Sequence, residues 1–405
     1  MAPPVSAMQP DAQPMWHGEG VTVADVLGAL ADIRYRFARK EAGDSEHLHP
    51  RNCVMTLIGI APTEAHEVVA KRTTQAIGMQ HPAQAIVIRE EAPIRRRHLD
   101  AWITTDVRRP EMACAVECEL ITLHVHGKAA DHLGALLDPL LVSGVPTYLW
   151  WLGTPPFGKR ELLDALRVSD GLVVDSAQFD EPYRSCRRMA SMLKVAHHRL
   201  GLADLQWSRL RPWRESIAQF FTPSDRRVFL GGISELGVDY AGEGRGNRIA
   251  ASLITGWIAS ALGWKLRRAT AGAGGVVAAM YQAGGHSVEV NFRSVPQNDR
   301  VPGEVSAVRI AGAAGGTTFR LSVMHDPPRS RDATGSAYEW DRRRGDTERV
   351  LLTLIEIGDG EPLRHLQQLD PEDEAALLVE LLSTGTHDEV YNRSLAAASD
   401  LVESI

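Results

Sequence analysis

The stretch CVMTLIGIAPTEAHEVVAKRTTQAIGMQHPAQAIVIRE, residues 53–90, decides the fold class. Its apolar run Cys53–Ala61 is typical of a buried strand. A helix follows, with Thr63 as its cap and Gly78 at its end, and Gln84–Glu90 has the pattern of a second strand. A strand–helix–strand unit of this length predicts a largely parallel sheet with a right-handed crossover.

The same pattern extends on both sides of this unit. Upstream, Thr22 and Asp25 form a capping-box pair, and a helical stripe of apolar residues begins at Val26. Downstream, two runs predict an antiparallel strand pair, and further strand and helix patterns follow as far as residue 200. The downstream runs are LDAWITTDV (99–107), CAVECELITLHVHG (114–127), VPTYLWWLG (145–153), GLVVDSA (171–177) and a helical run at 181–200. We therefore expect a mixed, largely parallel α/β domain over residues 21–204.

The stretch LQWSRLRPWRESIAQFF predicts a connector helix over residues 205–221. Pro212 suits the first position of a helix, where its missing N–H costs nothing. The helical spacing predicts that Trp213, Ile217 and Phe221 face a core. It places a set of arginines outward: Arg209, Arg211 and Arg214.

The second half has a different pattern. NRIAASLITGWIASALG (247–263) predicts an amphipathic helix ended by Gly263. Successive strand patterns without helices between them favour an antiparallel sheet, and two closing helices follow. The strand patterns are ISELGVDY (233–240), GVVAAMYQ (275–282), HSVEVNFRSV (286–295), GEVSAVRIAG (303–312) and TTFRLSVMH (317–325). We expect an α+β domain over residues 205–405 and a disordered tail over residues 1–20.

Composition limits the classes of function. The 405 residues carry a net charge of −7, and no basic tract is long enough to indicate nucleic-acid binding. No run of eighteen apolar residues and no secretory signal pattern occur, so we expect a cytoplasmic protein without a membrane span. The four cysteines, Cys53, Cys114, Cys118 and Cys186, are too few for a disulfide framework and contain no CxxC pair.

A glycine-rich loop, GEGRGN at residues 242–247, lies between a predicted strand and a predicted helix. This is where a phosphate-cradling loop belongs, and Arg267 and Arg268 on the next strand suit a 2′-phosphate. The pattern lacks the third glycine of a dinucleotide fingerprint. The alternatives are a flexible turn before a helix, or a nucleotide- or sugar-phosphate-binding enzyme or sensor.

Three further features each have two interpretations. His124 and His126 share one face of a strand, as metal ligands do, or are half-exposed sheet histidines. Asp175 ends a parallel strand, where α/β proteins bind ligands, or caps a helix. The third feature is a set of arginines that either form a protein interface or pair within the chain: Arg184, Arg187, Arg188, Arg209, Arg211 and Arg214.

Five stretches in order resemble the OpcA family of glucose-6-phosphate dehydrogenase assembly proteins. They are VPTYLWWLGTPP with Trp150 and Trp151, SDGLVVDSAQF with Asp175, DLQWSRLRPWRESIAQFF with Trp207 and Trp213, LITGWIASALGW with Gly256 and Trp257, and the closing helix at Asp388, Tyr391 and Leu395. The resemblance spans roughly residue 21 to the C-terminus.

The resemblance implies a function without catalysis and without a cofactor or metal of its own. It implies assembly or allosteric activation of glucose-6-phosphate dehydrogenase, which opens the oxidative pentose phosphate pathway and carries the NADP chemistry. For the contact surface with that enzyme we select residues on the connector and a neighbouring helix: Trp207, Arg209, Arg211, Arg214, Arg184 and Arg188. Thioredoxin-linked redox control, known for some members, is not clearly carried over to these cysteines.

Overall fold

The structure is a computed structural model of the 405-residue chain. It describes residues 15–42, 53–78, 81–94, 98–108, 116–196, 200–242, 247–296, 300–325, 350–369 and 374–405. The chain divides into two compact units that are not contiguous in sequence. The first unit contains Met1–Asp175, Ala196–Ala203 and Glu374–His387, and the second contains Ser176–Val195, Asp204–Asp373 and Asp388–Ile405.

The first unit is built on an eight-stranded mixed sheet. Its strands are β1 (Trp16–Gly18), β2 (Met55–Ala61), β3 (Ala83–Glu91), β4 (Leu99–Arg108), β5 (Val116–His126), β6 (Thr147–Trp151), β7 (Gly171–Val174) and β8 (Gly201–Asp204). The order across the sheet is β1-β4-β5-β3-β2-β6-β7-β8. The five strands from β5 to β7 in this order pair in parallel, and β4 pairs with β5 antiparallel. The predicted strand–helix–strand unit is confirmed as β2, a helix and β3.

The helices around this sheet follow the sequence signals. They are α1 (Val23–Ala42), α2 (Glu64–Gly78), α3 (Leu133–Leu137) and α4 (Arg160–Leu166). Thr22 and Asp25 form the capping box that the sequence predicts: the Thr22 amide donates to the Asp25 carboxylate at 2.8 Å, and the Asp25 amide donates to Thr22 Oγ1 at 3.3 Å. The Thr22 amide and the Thr22 hydroxyl, the latter at 2.7 Å, both donate to the Asp25 carboxylate and hold its pKa below the usual value.

The second unit contains an eight-stranded, mostly antiparallel sheet. Its strands are β9 (Ile233–Ala241), β10 (Lys265–Ala271), β11 (Val277–Ala283), β12 (His286–Val295), β13 (Val305–Ala314), β14 (Thr317–His325), β15 (Val350–Ile357) and β16 (Leu363–Gln368). The order is β10-β11-β12-β9-β13-β14-β15-β16, and the one parallel pair in this described sheet is β12 with β9. The predicted antiparallel sheet is confirmed. The sequence patterns did not predict the parallel pairing of β12 with β9 or the strand β16.

The helices that complete the description are α5 (Pro182–Ala196), α6 (Leu205–Arg209), α7 (Arg211–Phe221), α8 (Ile249–Leu262), α9 (Glu374–Thr384) and α10 (Glu389–Glu403). In the second unit, α10 packs along α8 and α7 packs against β14. The mixed α/β fold class is therefore confirmed.

Four expectations about these elements are wrong. Residues 16–18 are not part of a disordered tail, because they pair with β4. The connector is not one helix: it breaks at Leu210, since Pro212 has no N–H to continue the ladder from α6. Helix α8 is not amphipathic, because residues 249–256 are all buried. Helix α9 packs on α2 and so belongs to the first unit.

Candidate functional site

The candidate site is the connector and the side chains that surround it in the second unit. Asp204 caps α6, since its carboxylate accepts from the Gln206 amide at 3.0 Å. Trp207 follows on α6 and is only 5% exposed. Its indole N–H donates to Asp388 at 2.9 Å, and the guanidinium carbon of Arg214 lies 3.6 Å from the centre of its ring. Trp207 is thus held from two directions by a carboxylate and a cation.

The position of Arg214 differs from the sequence expectation. Arg214 does not point outward, because its guanidinium covers Trp207 and donates to the Trp207 carbonyl at 3.2 Å. Burial lowers the pKa of Arg214 to about 10, although the negative charges of Asp388 and Glu215 oppose the shift. The side chain still carries its positive charge at neutral pH. The expectation failed because the helical wheel cannot show that an aromatic ring from the preceding helix lies over the polar face.

The other selected arginines lie at or near the surface. Arg211 is exposed and pairs with Glu215 at 2.8 Å, while Arg209 is half-buried near Gln206. Arg184 and Arg188 lie exposed on α5, four residues apart, and Arg184 pairs with Glu181 at 3.0 Å. A role in partner contact stays a prediction for all six selected residues. Trp207 is buried and Arg214 stacks on it, so these two have a structural role within the unit.

Asp204 is the hub of a buried polar network. Besides capping α6, it accepts from the Ser176 hydroxyl at 2.6 Å, from the Ser176 amide at 3.0 Å and from the Tyr391 hydroxyl at 3.2 Å. Tyr391 has no exposed surface, and burial raises the pKa of its hydroxyl well above the usual value. Each of these groups donates to one carboxylate, so the network joins the segment after β7, the start of α6 and helix α10.

Cys186 lies beside this network. It is a free, fully buried thiol, and burial raises its pKa to about 12, with a smaller contribution from the charge of Asp204. A thiol with such a pKa is protonated at neutral pH and is a poor nucleophile. Cys53 is also free. Cys114 and the side chain of Cys118 lie outside the described residues, so redox control through them stays a prediction.

The remaining family-motif residues occupy packing positions. Trp150, Trp151 and Trp213 are buried, and Trp213 meets the His325 ring edge-on at 5.0 Å. Gly256 lies where α8 and α10 touch: a Cβ at this position would overlap the Ser394 carbonyl and lie 2.8 Å from the Ala398 nitrogen. Trp257, the next residue on α8, is half-buried.

Asp175 directly follows β7 and is 2% exposed. Its role as a ligand-binding residue or as a cap stays a prediction. Sequence reasoning missed the roles of Asp204 and Asp388. Both stand immediately before a helix, and this was the available signal, because an acidic residue there is a common cap.

The glycine-rich loop is described only at its two ends, Gly242 and Asn247, and residues 243–246 lie outside the described residues. The Asn247 side chain accepts from the Ile249 amide at 2.9 Å and donates to the Ser176 carbonyl at 2.8 Å. Asn247 therefore links the start of α8 to the segment after β7 by hydrogen bonds. Arg267 and Arg268 are exposed on β10. Phosphate binding at this loop stays a prediction.

The strand histidines of the first unit are paired with carboxylates. His124 lies 3.1 Å from Glu67, and His126 lies 2.9 Å from Asp100. The half-exposed interpretation is confirmed for His124 but is wrong for His126, which is 5% exposed. Both acids come from other elements, α2 and β4. Among the described residues, no group of three His, Cys, Asp or Glu side chains is arranged to hold a metal ion.

Two family models match this chain over most of its length. The first describes the N-terminal domain of the glucose-6-phosphate dehydrogenase subunit and matches residues 74–191. The second describes the C-terminal domain of the same subunit and matches residues 200–395. The chain belongs to the OpcA family. The first match ends within α5 and the second begins just before β8. The second includes the connector, Gly256 and Tyr391.

Curated relatives of the family carry the name OxPP cycle protein OpcA. The protein from Synechocystis sp. is 26% identical over 282 residues, which are 69% of this chain and 54% of the relative. The protein from Nostoc punctiforme is 31% identical over 159 residues, which are 39% of this chain and 33% of the relative. The matched regions thus span about half or less of the length of these relatives.

Solved structures that match this chain share little sequence with it. A dehydrogenase (MviM) from Clostridium difficile has 9% identity and a TM-score of 0.41, and the match covers 86% of this chain and 97% of that one. An oxidoreductase from Parabacteroides merdae has 10% identity and a TM-score of 0.44, covering 87% and 98%. Similarity this low says nothing about activity. Within the described residues, no helix combines the length and apolar character needed to cross a membrane.

Proposed function

We propose that this OpcA family member is a non-enzymatic partner of glucose-6-phosphate dehydrogenase in the oxidative pentose phosphate pathway. The observation that carries the proposal is the match of both family models, whose descriptions name that enzyme, over residues 74–191 and 200–395. The pathway name of the curated relatives supports it. Action on that enzyme requires the same compartment, which we take to be the cytoplasm.

The mechanism is linkage between partner binding and the state of the enzyme. A protein that binds the active oligomer more tightly than the inactive form shifts the population by that difference in affinity and by no more. A coupling of about 1–3 kcal/mol, typical of such effects, changes substrate affinity about 5–150-fold. No residue of this chain has to enter the enzyme's catalytic site for this to occur.

The structure supports a rigid scaffold behind the contact surface. Trp207 is clamped between Arg214 and Asp388, and Asp204 fixes three chain segments at once. Side chains on neighbouring positions lose less conformational entropy on binding when their helices are already fixed. We infer that the exposed arginines of this unit, Arg184, Arg188 and Arg211, supply part of the contact.

The test is complex formation between this protein and the dehydrogenase of the same organism. Size-exclusion chromatography with light scattering should show a species whose mass is the sum of both components. The double variant Arg184→Ala/Arg188→Ala should weaken the complex at least tenfold, since interface arginines often contribute more than about 1 kcal/mol each.

The matched control is Arg267→Ala/Arg268→Ala, which removes two exposed arginines from the edge strand β10. It should leave the complex unchanged. Equal affinity of all three proteins would remove Arg184 and Arg188 from the interface but keep the partner. Absence of any complex with the unchanged protein would contradict the proposed function itself.

A further inference from the structure

A pocket of about 190 Å³ lies at the carboxyl edge of the first sheet. Its floor comes from the ends of four parallel strands, β2, β3, β5 and β6, and its sides come from α3, α4 and the loop after β6. Most of the residues that line it are apolar, and the polar ones are Glu90, Thr154 and Glu161. All of them belong to the first unit.

The sheet topology marks this edge as a ligand position. From β2 the chain passes through α2 to β3 on one side, whereas β6, on the other side of β2, is reached later. The order of strands therefore reverses between β2 and β6. In open α/β sheets, ligands bind in the crevice that such a reversal creates at the carboxyl ends of the strands.

The walls of the pocket are mainly apolar, and they include a buried N–H group that lacks an acceptor. Ile60, Ile88, Val125 and Leu133 are buried. Trp151 is 6% exposed, and its indole nitrogen has no hydrogen-bond partner among the described residues. A buried N–H without an acceptor costs about 1–3 kcal/mol, so an acceptor at this position would be stabilising.

The charge of the pocket is negative. Glu90, which is exposed, and Glu161, which lies 4.0 Å from the Lys159 ammonium, both line it. Burial raises the pKa of Glu90, and the negative charges of Glu161 and Asp131 raise it further, against the opposing charge of Lys159. The carboxylates therefore repel one another, and Lys159 offsets only part of the repulsion. A phosphate or another anion would be repelled as well, whereas a cation would relieve the repulsion.

We propose that this pocket binds an organic cation, an ammonium or guanidinium group on a short apolar chain that also carries a carbonyl acceptor. The carboxylates of Glu90 and Glu161 receive the cation, the apolar walls receive the chain, and Trp151 donates to the carbonyl. The volume is below the roughly 300–1,000 Å³ of pockets for drug-sized ligands, so it suits one arginine- or lysine-sized group and excludes a dinucleotide. The chemistry is the same whether the group belongs to a free metabolite or to a side chain of a bound protein.

The test uses the whole protein and needs no dehydrogenase, so its outcome is independent of the proposed function. The indole resonance of Trp151 is assigned with Trp151→Phe and followed by ¹H–¹⁵N NMR while acetyl-arginine amide is added. We expect a saturable shift with a Kd of about 1 mM, because a ligand of this size gains about 0.3 kcal/mol per heavy atom. Glu90→Gln/Glu161→Gln, with an unchanged melting temperature, should weaken binding at least tenfold.

Two comparisons complete the test. Acetyl-norleucine amide has a similar shape without the charge and should bind at least tenfold more weakly to the unchanged protein. Agmatine, a free amine with the same guanidinium, distinguishes the sources: tighter binding than acetyl-arginine amide favours a free metabolite, and weaker binding favours a protein side chain. No saturable shift with either cation, or equal binding of the uncharged analogue, would overturn the proposal.

Discussion

Single carboxylates hold the signature stretch of this family in place. Asp204 caps α6 and accepts from Ser176 and Tyr391, and Asp388 caps α10 while accepting from Trp207. Each acid therefore satisfies buried donors from separate segments as well as a helix start. The side chains of the connector thus serve mutual contacts within the second unit.

Asp388→Ala should lower the free energy of unfolding by about 2–4 kcal/mol. The loss combines a helix cap, worth about 0.5–2 kcal/mol, with a buried Trp207 N–H left without its acceptor, at about 1–3 kcal/mol. Urea unfolding followed by tryptophan fluorescence measures it. Asp388→Asn keeps one acceptor oxygen for the helix cap but sets its NH2 against the Trp207 N–H, so it should still lose about 1–3 kcal/mol. Glu403→Ala, at the exposed far end of α10, should change stability by under about 0.5 kcal/mol.

Glu67 makes the first unit sensitive to acid. Burial raises its pKa, but hydrogen bonds from His124 and Lys71 outweigh that effect and lower the pKa to about 2 from 4.5. Since the folded pKa is the lower one, Glu67 stabilises the fold above pH 4.5, and this contribution is lost as the pH falls from 4.5 to about 2. The difference between these two pKa values corresponds to at most about 3 kcal/mol.

The variant Glu67→Gln should therefore flatten the dependence of unfolding free energy on pH between 4.5 and about 2. Urea titrations at several pH values measure the slope. Glu64→Gln, an exposed acid at the start of the same helix, is the control and should keep the slope of the unchanged protein. If Glu67→Gln keeps the slope of the unchanged protein, as Glu64→Gln should, other carboxylates govern the acid response.

At the scale of elements, the packing of α8 against α10 depends on a missing side chain. Helices α8 and α10 pack along each other, and Gly256 lies where the backbone of α10 comes nearest. Helix α8 also has no exposed face over residues 249–256, because every residue there is buried. A glycine in so apolar a helix is explained by this approach, since glycine in a helix interior otherwise costs about 1 kcal/mol.

Gly256→Ala should reduce stability by about 2 kcal/mol, because the added methyl group meets the backbone at Ser394 and Ala398. Gly28→Ala in α1 is the matched control. Gly28 is exposed, and a Cβ there meets nothing within 4 Å, so the substitution should raise stability by about 0.5–1 kcal/mol. Thermal unfolding of both variants checks the opposite signs. A neutral or stabilising Gly256→Ala would show that α10 moves away at little cost.

Much of the element level follows from local sequence. The capping pair Thr22 and Asp25, the Gly263 stop and the apolar run of β2 are local signals, and the structure confirms all three. The features that could not be predicted from local sequence are contacts with distant residues. The cation over Trp207, the carboxylates beside the strand histidines and the burial of α8 on every side each need a partner outside the local pattern.

At the scale of the whole molecule, the chain crosses repeatedly between its two units. Residues 176–195 belong to the second unit, and residues 374–387 return to the first. A predicted boundary at residues 204 and 205 falls close to one crossing, but periodicity alone gives no sign of the others. The family matches break near residue 200, close to that same crossing.

The pocket of the first unit could not be predicted from sequence either. Glu90, Trp151 and Glu161 come from two strands and a helix, and only the parallel order of β3, β2 and β6 brings them to one edge. The sequence indicated the edge as a general ligand position but gave no charge for it. Its negative charge makes a phosphate ligand at this pocket unfavourable.

The most direct test of the central claim is the steady-state rate of the same organism's glucose-6-phosphate dehydrogenase across substrate concentrations, with and without this protein. The account predicts a saturable fall in KM or rise in kcat, in step with formation of a larger complex in light scattering. An unchanged rate at every concentration, without a complex in reducing or oxidising buffer, would contradict it.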